Sequence, residues 1–206
     1  NFIRPLPKEN NNFRATHQLD GKFIAIYSGN IALTQGLETV IEAASRLSHI
    51  PDIAIVIVGE ESALQRLWRC CENCGVKNVI LLPLQPREQL PEMLAAADVG
   101  LVVQKHNVIS FNMPSKIQVL LASGRALVAS VPADGTAAKV VEQSGGGIVV
   151  PPEDPDALAA AILELYHHPE KVKHLGEKSR QYALNHYTLE QALDQYEKLF
   201  AAVQKP

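Results

Sequence analysis

The residues best equipped for chemistry form one short run, Met113-Pro114-Ser115-Lys116-Ile117, followed by an apolar turn and then Ser123-Gly124-Arg125. Proline suits the first position of a helix, where its missing N–H is not needed. A helix starting here points its first N–H groups outward, with the Lys116 ammonium beside them. Such a start suits an anion, and a phosphate is the obvious one. Gly124 tolerates the left-handed geometry that ends helices. Arg125 lies at the far end of that helix and reads as a structural surface cation near its C-terminus. A second run, Ser28-Gly29-Asn30, follows a short apolar stretch, and a glycine there lets a ligand approach the backbone closely.

Other reactive side chains read as structural. Cys70, Cys71 and Cys74 include a Cys-x-x-Cys pair. Zinc needs four ligands, and no second Cys or His pair sits at a suitable spacing. A redox pair usually opens a helix, whereas Leu64-Gln65-Arg66-Leu67-Trp68-Arg69 places these thiols toward the end of one. Free thiols fit a reducing compartment. Glu60-Glu61 fits a helix first turn, favoured by the macrodipole, better than a carboxylate pair for glycoside hydrolysis. His106 reads as a loop surface residue, and His167, His168, His174 and His186 as solvated.

Elements must carry these residues. The 206 residues fit one domain or one lobe of something larger, and 47% hydrophobic residues can fill one core. A net charge of −3 leaves no basic field for nucleic acid. No apolar run approaches the ~20 residues of a membrane span. Residues 1–21, rich in Asn, Pro and charge, are expected to be extended or poorly ordered. Strands are expected at 22–28, 53–58, 78–82, 99–103, 126–130 and 148–150, and helices at 35–48, 62–73, 87–96, 115–122 and 136–144. Three further helices follow at 155–166, 169–186 and 189–203. The run Ile53-Ala54-Ile55-Val56-Ile57-Val58 is so apolar that both faces must be covered, as in parallel sheets. Alternation of this kind implies an α/β, doubly wound parallel sheet (Rossmann-like), with ligands beyond the carboxyl ends of its strands. Every loop singled out above follows a strand.

The chain resembles the group 1 glycosyltransferases of the two-lobe GT-B fold over nearly its whole length. Tyr27-Ser28-Gly29-Asn30 through Gln35-Gly36-Leu37-Glu38 is similar to the family's first loop. Val58-Gly59-Glu60, Asn78-Val79-Ile80-Leu81-Leu82 and Ala96-Ala97-Asp98-Val99 resemble its next three motifs. Gly146-Gly147-Ile148-Val149-Val150-Pro151-Pro152, with Asp154-Pro155-Asp156-Ala157-Leu158, resembles the closing one. The Pro-Ser-Lys run resembles a bacterial exopolysaccharide subgroup, the colanic acid type. The resemblance implies the C-terminal lobe of a transferase that moves a sugar, with retention, from a nucleotide diphosphate sugar to a glycan or lipid-linked acceptor. It implies donor contacts from Ser28, Gly29, Asn30, Gln35, Gly36, Leu84, Gln85, Pro114, Ser115 and Lys116. It implies no catalytic residue in this lobe, no metal and no cofactor beyond the donor itself. The implied setting is cytoplasmic, peripheral to the inner membrane face. Residues 1–21 would be an interlobe linker, 22–186 the nucleotide-sugar-binding domain, and 187–206 a helix turned toward a missing N-terminal lobe. The opening Asn1-Phe2-Ile3-Arg4-Pro5 has neither an initiator Met nor the regions of a secretory signal, as expected of a chain cut near such a linker.

Three positions depart from the family pattern. Asn30 and Gln35 stand where many members carry Arg and Lys, so Lys116 becomes the main cation. The family's paired glutamates fall on Phe111 and Val119, and Val119 accepts no hydrogen bond from a ribose. Two other readings are open to the same residues: a degenerate lobe serving as a scaffold, or a nucleotide-sugar epimerase of the same fold.

Overall fold

The computed structural model describes residues 2–108 and 113–203. Phe111, one of the two glutamate-pair positions, lies outside them. Six strands form the sheet: β1 (Phe23–Ser28), β2 (Ile53–Gly59), β3 (Val79–Pro83), β4 (Val99–Val103), β5 (Ala126–Ser130) and β6 (Gly147–Val150). All pair in parallel, in the order β3-β2-β1-β4-β5-β6. β2, β4 and β5 are buried at every position, as their unbroken apolar sequences require.

The helices are α1 (Asn12–Thr16), α2 (Glu38–Arg46), α3 (Glu61–Cys74), α4 (Leu90–Ala96), α5 (Lys116–Ala122), α6 (Thr136–Ser144), α7 (Pro155–His167), α8 (Pro169–His186) and α9 (Leu189–Val203). Two layers flank the sheet. Leu64 and Leu67 of α3, Val40 and Ile41 of α2, and Leu158 and Ile162 of α7 pack on Tyr27, Ile55 and Leu101. On the other face α5 and α6 cover Val102, Leu127 and Ala129, while Met93 of α4 and Phe13 of α1 cover Ile24, Ile26 and Val56. The fold is the expected doubly wound α/β sheet. Its strand order reverses between β1 and β4, which leaves a crevice at their carboxyl ends. Gly100 on β4 lets α5 close on the sheet: a Cβ there would stand 2.4 Å from Leu120 Cδ2.

Several boundaries differ from expectation for identifiable reasons. The helix expected from residue 35 begins at Glu38, because a 3₁₀ turn, Leu33–Gln35, ends at Gly36 with φ 62°. The helix expected from 87 is likewise a 3₁₀ turn, Arg87–Gln89, running into α4. Pro114 is not in the first helical turn. Its carbonyl accepts from the Ile117 N–H at 3.1 Å, and α5 starts at Lys116.

The expectation of an extended residue 1–21 segment is corrected. It contains α1, capped by the Asn11 side chain, which accepts from the Arg14 N–H. Arg14 is buried and donates to the carbonyls of Ala96 and Lys22, both at 2.8 Å, and to Asp98 Oδ2 at 2.9 Å. Asp98 also accepts from the Ile24 N–H and from Lys8 Nζ. Phe13 and Leu19 are buried with it. A polar composition conceals this anchoring because a paired guanidinium can be buried at the cost of one carboxylate partner.

At the other end, Thr188 and Gln191 form a capping box at the start of α9. The apolar face Leu189, Ala192, Leu193, Tyr196, Leu199 and Phe200 of α9 is exposed at all six positions. No helix among the described residues is long and apolar enough to cross a membrane.

Candidate functional site

The crevice between the β1 and β4 loops holds a cleft of about 510 Å³, lined by Ser28, Gly29, Asn30, Gln35, Pro114, Ser115 and Lys116. Leu90 and Leu94 of α4, Met113, and Val119 and Leu120 of α5 complete the lining. Two segments distant in sequence, each marked by its own local chemistry, therefore meet at one place.

Lys116 is the centre of it. Its ammonium stands 3.4 Å from the centroid of the Tyr27 ring. That ammonium is buried without a hydrogen-bond partner. Burial pulls its pKa from an ordinary 10.5 down to about 7, because desolvation disfavours the charged form. The cation–π contact offsets some of that cost. Gly29, at φ 130°, lies beside it: a Cβ there would meet Lys116 Nζ at 3.8 Å, an ordinary van der Waals distance, so its conformation rather than space calls for glycine. The 28–30 turn is thus set by a backbone conformation rare for side-chain-bearing residues.

Tyr27 was not anticipated as part of the site. It is fully buried, and its hydroxyl donates to the Asn30 carbonyl. The Gln35 side-chain amide oxygen lies 3.4 Å from the same phenol oxygen. Burial pushes its pKa well up, so it stays neutral. Its sequence signal was an aromatic residue in an aliphatic strand, one step before the Ser-Gly turn.

Gly36, Leu84 and Gln85 do not line this cleft. Gly36 packs against the Lys105 side chain, with a Cβ position 3.0 Å from Lys105 Cγ. Leu84 is 55% exposed, and Gln85 turns back onto the Pro83 carbonyl. Both follow β3, an edge strand two places from β1. The Lys105 N–H donates to the Thr34 carbonyl at 2.9 Å, tying the β4 loop to the β1 loop. The exposed His106 donates its backbone N–H to Glu153 at 3.0 Å, and its ring pairs with the same carboxylate. These contacts, the backbone one first, hold the Glu153 carboxyl below its ordinary range.

The cysteines lie on α3 as expected, and burial raises Cys71 to about 11, which leaves it unreactive. Among the described residues no group of three or more His, Cys, Asp or Glu could hold a metal ion. A larger cavity, about 640 Å³, lies at the opposite end of the sheet, by Phe23, Arg125, Ala126 and Arg180. Its arginines are engaged with backbone carbonyls: Arg125 with Ala97 at 3.0 Å and Arg180 with Ala122 at 2.6 Å. The half-buried Arg125 is thus structural, as expected, though less exposed than a surface cation. The smaller cleft is the better candidate because its cation is unpartnered and it lies at the strand-order switch.

The arrangement is a doubly wound parallel α/β lobe with a buried cation, lacking a hydrogen-bond partner, in its switch-point crevice. Residues 9–182 match the family of glycosyl transferases group 1, and the chain belongs to that family. It is 38% identical over 146 residues to the putative colanic acid biosynthesis glycosyl transferase WcaI of Escherichia coli, covering 70% of this chain and 36% of that protein. It is 23% identical over 163 residues to the probable glycosyltransferase WbjE of Pseudomonas aeruginosa, covering 79% of this chain and 40% of that one. The chain therefore spans well under half the length of these two relatives. In fold it is similar to Anabaena Alr3699/HepE in complex with UDP, with a TM-score of 0.85 at 16% identity over 98% of this chain and 54% of that one. It also resembles the C-terminal domain of the Francisella tularensis group 1 glycosyl transferase LpcC, with a TM-score of 0.73 at 19% identity, covering 91% of this chain and 97% of that domain.

Proposed function

We propose that this chain is the donor-binding lobe of a glycosyltransferase, and that its switch-point cleft holds the diphosphate of a nucleotide diphosphate sugar. The carrying observation is Lys116: a buried ammonium with no hydrogen-bond partner, beside a glycine turn, costs stability unless an anion arrives. A bound diphosphate would raise the lysine's pKa and charge it at neutral pH. Asn30, Gln35, Ser28 and Ser115 would add neutral hydrogen bonds. In sugar transfer the leaving diphosphate gathers negative charge, and a cation held in a low-dielectric pocket stabilises it. Transfer with retention, to a glycan or lipid-linked acceptor, is the reading carried over from the family resemblance.

Residues 1–21 would join this lobe to a second one. Residues 187–206 would return to it, which accounts for the bare apolar face of α9. Gly36 would shape the donor loop, and Leu84 and Gln85 would approach the base only from the β3 side.

Isothermal titration with nucleoside diphosphates tests the reading. Lys116→Ala should weaken binding about 10- to 150-fold, the range for a hydrogen bond to a charged group. The matching nucleosides should be indifferent to the change. Lys178→Ala, an exposed α8 control, should change nothing. Equal diphosphate affinity in both variants would remove the phosphate role and favour a scaffold lobe.

A further inference from the structure

β3 is an edge strand. Its inner side pairs with β2, and among the described residues no strand pairs with its outer side. The Ile55 N–H donates to the Asn78 carbonyl at 2.8 Å, and Ile55 stands opposite Val79. A parallel ladder bonds a residue to the two neighbours of the one opposite. Asn78, Ile80 and Leu82 therefore turn their backbone groups toward β2, and Val79 and Leu81 turn theirs outward. Such an edge is a template for another strand, and charge or proline commonly blunts it. In β3 these devices stand at the ends: Lys77 precedes the strand and Pro83 closes it. Val79-Ile80-Leu81-Leu82 between them is uncharged and half-buried.

Trp68 of α3 stands beside this edge and is 57% exposed. Hollows of about 340 and 380 Å³ flank it, and Leu81 lines both. Glu61 and Gln65 lie in the first, Glu72 and Lys77 in the second. An exposed tryptophan beside an apolar edge, with polar groups around it, has the composition of an interface core and its rim.

We propose that β3 pairs antiparallel with β3 of a second copy of this chain, about a two-fold axis at Ile80, joining the two sheets into one. The edge is self-complementary in this register. Val79 of each copy faces Leu81 of the other, and the pair exchanges both backbone bonds. Every outward N–H and C=O of Val79 and Leu81 is then satisfied. Pro83, which has no N–H to give, falls outside the exchange, and its carbonyl keeps the Gln85 amide at 2.8 Å. The same axis sets α3 antiparallel to its copy, with the two Trp68 rings beside the axis. The hollow bearing Glu61 then faces the hollow bearing Lys77 on the other copy, so opposite charges meet twice. Glu72 meets the neutral Gln65. A foreign strand would bring the backbone bonds without these matched charges. The donor cleft opens at β1, two strands away, and stays free in both copies.

Sedimentation velocity tests the pairing on the chain carrying Leu193→Glu and Phe200→Glu, which removes association through α9. A monomer–dimer equilibrium is expected, with a Kd of about 10 μM, the weak end for a small interface. Trp68→Lys should raise that Kd about tenfold or more. Glu61→Lys should raise it about threefold, and adding Lys77→Glu should restore it. Circular dichroism checks that each variant is folded. Amide exchange followed by NMR reads the strand pairing itself, on the unmodified chain as well. The Val79 and Leu81 N–H groups should gain protection as concentration rises, while those of Ile80 and Leu82, already bonded to β2, should change little. A chain monomeric to about 200 μM would overturn the inference and leave the edge to a foreign strand. So would a dimer whose Val79 and Leu81 stay unprotected, a folded Trp68→Lys that dimerises as well as its parent, or a charge exchange that fails to restore the dimer. Each of these leaves the donor reading intact.

Discussion

Replacing Lys116 by methionine should stabilise the unliganded chain. The buried ammonium has no hydrogen-bond partner, and its pKa falls from 10.5 to about 7. Each tenfold change in an acid's dissociation constant corresponds to about 1.4 kcal/mol between its protonation states. The fall at Lys116 therefore sets an upper bound of about 4–5 kcal/mol on the cost of burying the charge. The Tyr27 contact, which methionine keeps only in part, and water in the open cleft reduce the net gain to about 1–2 kcal/mol. The sign fixes the pH window. The folded pKa of this base is depressed, so below about 7 both states carry the proton and the full penalty is present. Between about 7 and 10.5 the unfolded chain binds the extra proton. Wild-type stability thus rises with pH there, and the methionine advantage shrinks to nothing. Urea denaturation followed by circular dichroism at pH 6, 7, 8, 9 and 10 measures it, with other titrations common to both chains. A variant less stable than wild type at pH 7, or an advantage unchanged to pH 10, would refute the reasoning that Lys116 is held at a cost for ligand binding.

Two further outcomes follow from the packing. Asp98→Ala should destabilise the chain by about 3–5 kcal/mol in urea, because it strands the buried Arg14 guanidinium and the Ile24 N–H. The double variant Leu193→Glu with Phe200→Glu should leave stability within about 0.5 kcal/mol, since both side chains are exposed. It should also lower concentration-dependent light scattering, and a large stability loss would mean that α9 packs on this lobe.

Much of the architecture was legible in the chain itself. Unbroken apolar runs such as Ile53–Gly59 require cover on both faces, and their alternation with amphipathic helices permits few layouts other than a doubly wound parallel sheet. The Ser28-Gly29 turn and Lys116 could be singled out because glycine and a lysine at a helix start each have a local physical reason. Local reasons missed the 3₁₀ turns, since periodicity does not register a left-handed break at Gly36. They also missed the anchoring of residues 1–21, whose polar character hides Phe13 and the Arg14–Asp98 pair.

What tertiary structure alone decided is which of these pieces meet. The order of the strands is not written in their local patterns. Placing β4 beside β1 brings Lys116 over the Tyr27 ring and against Gly29, and leaves Leu84 and Gln85 behind an outer strand. The same fold brings Leu90 and Leu94 of α4 into one cleft lining with Val119 and Leu120 of α5. The depressed pKa of Lys116 has no counterpart in the sequence, because desolvation belongs to the space around a side chain and not to its neighbours along the chain.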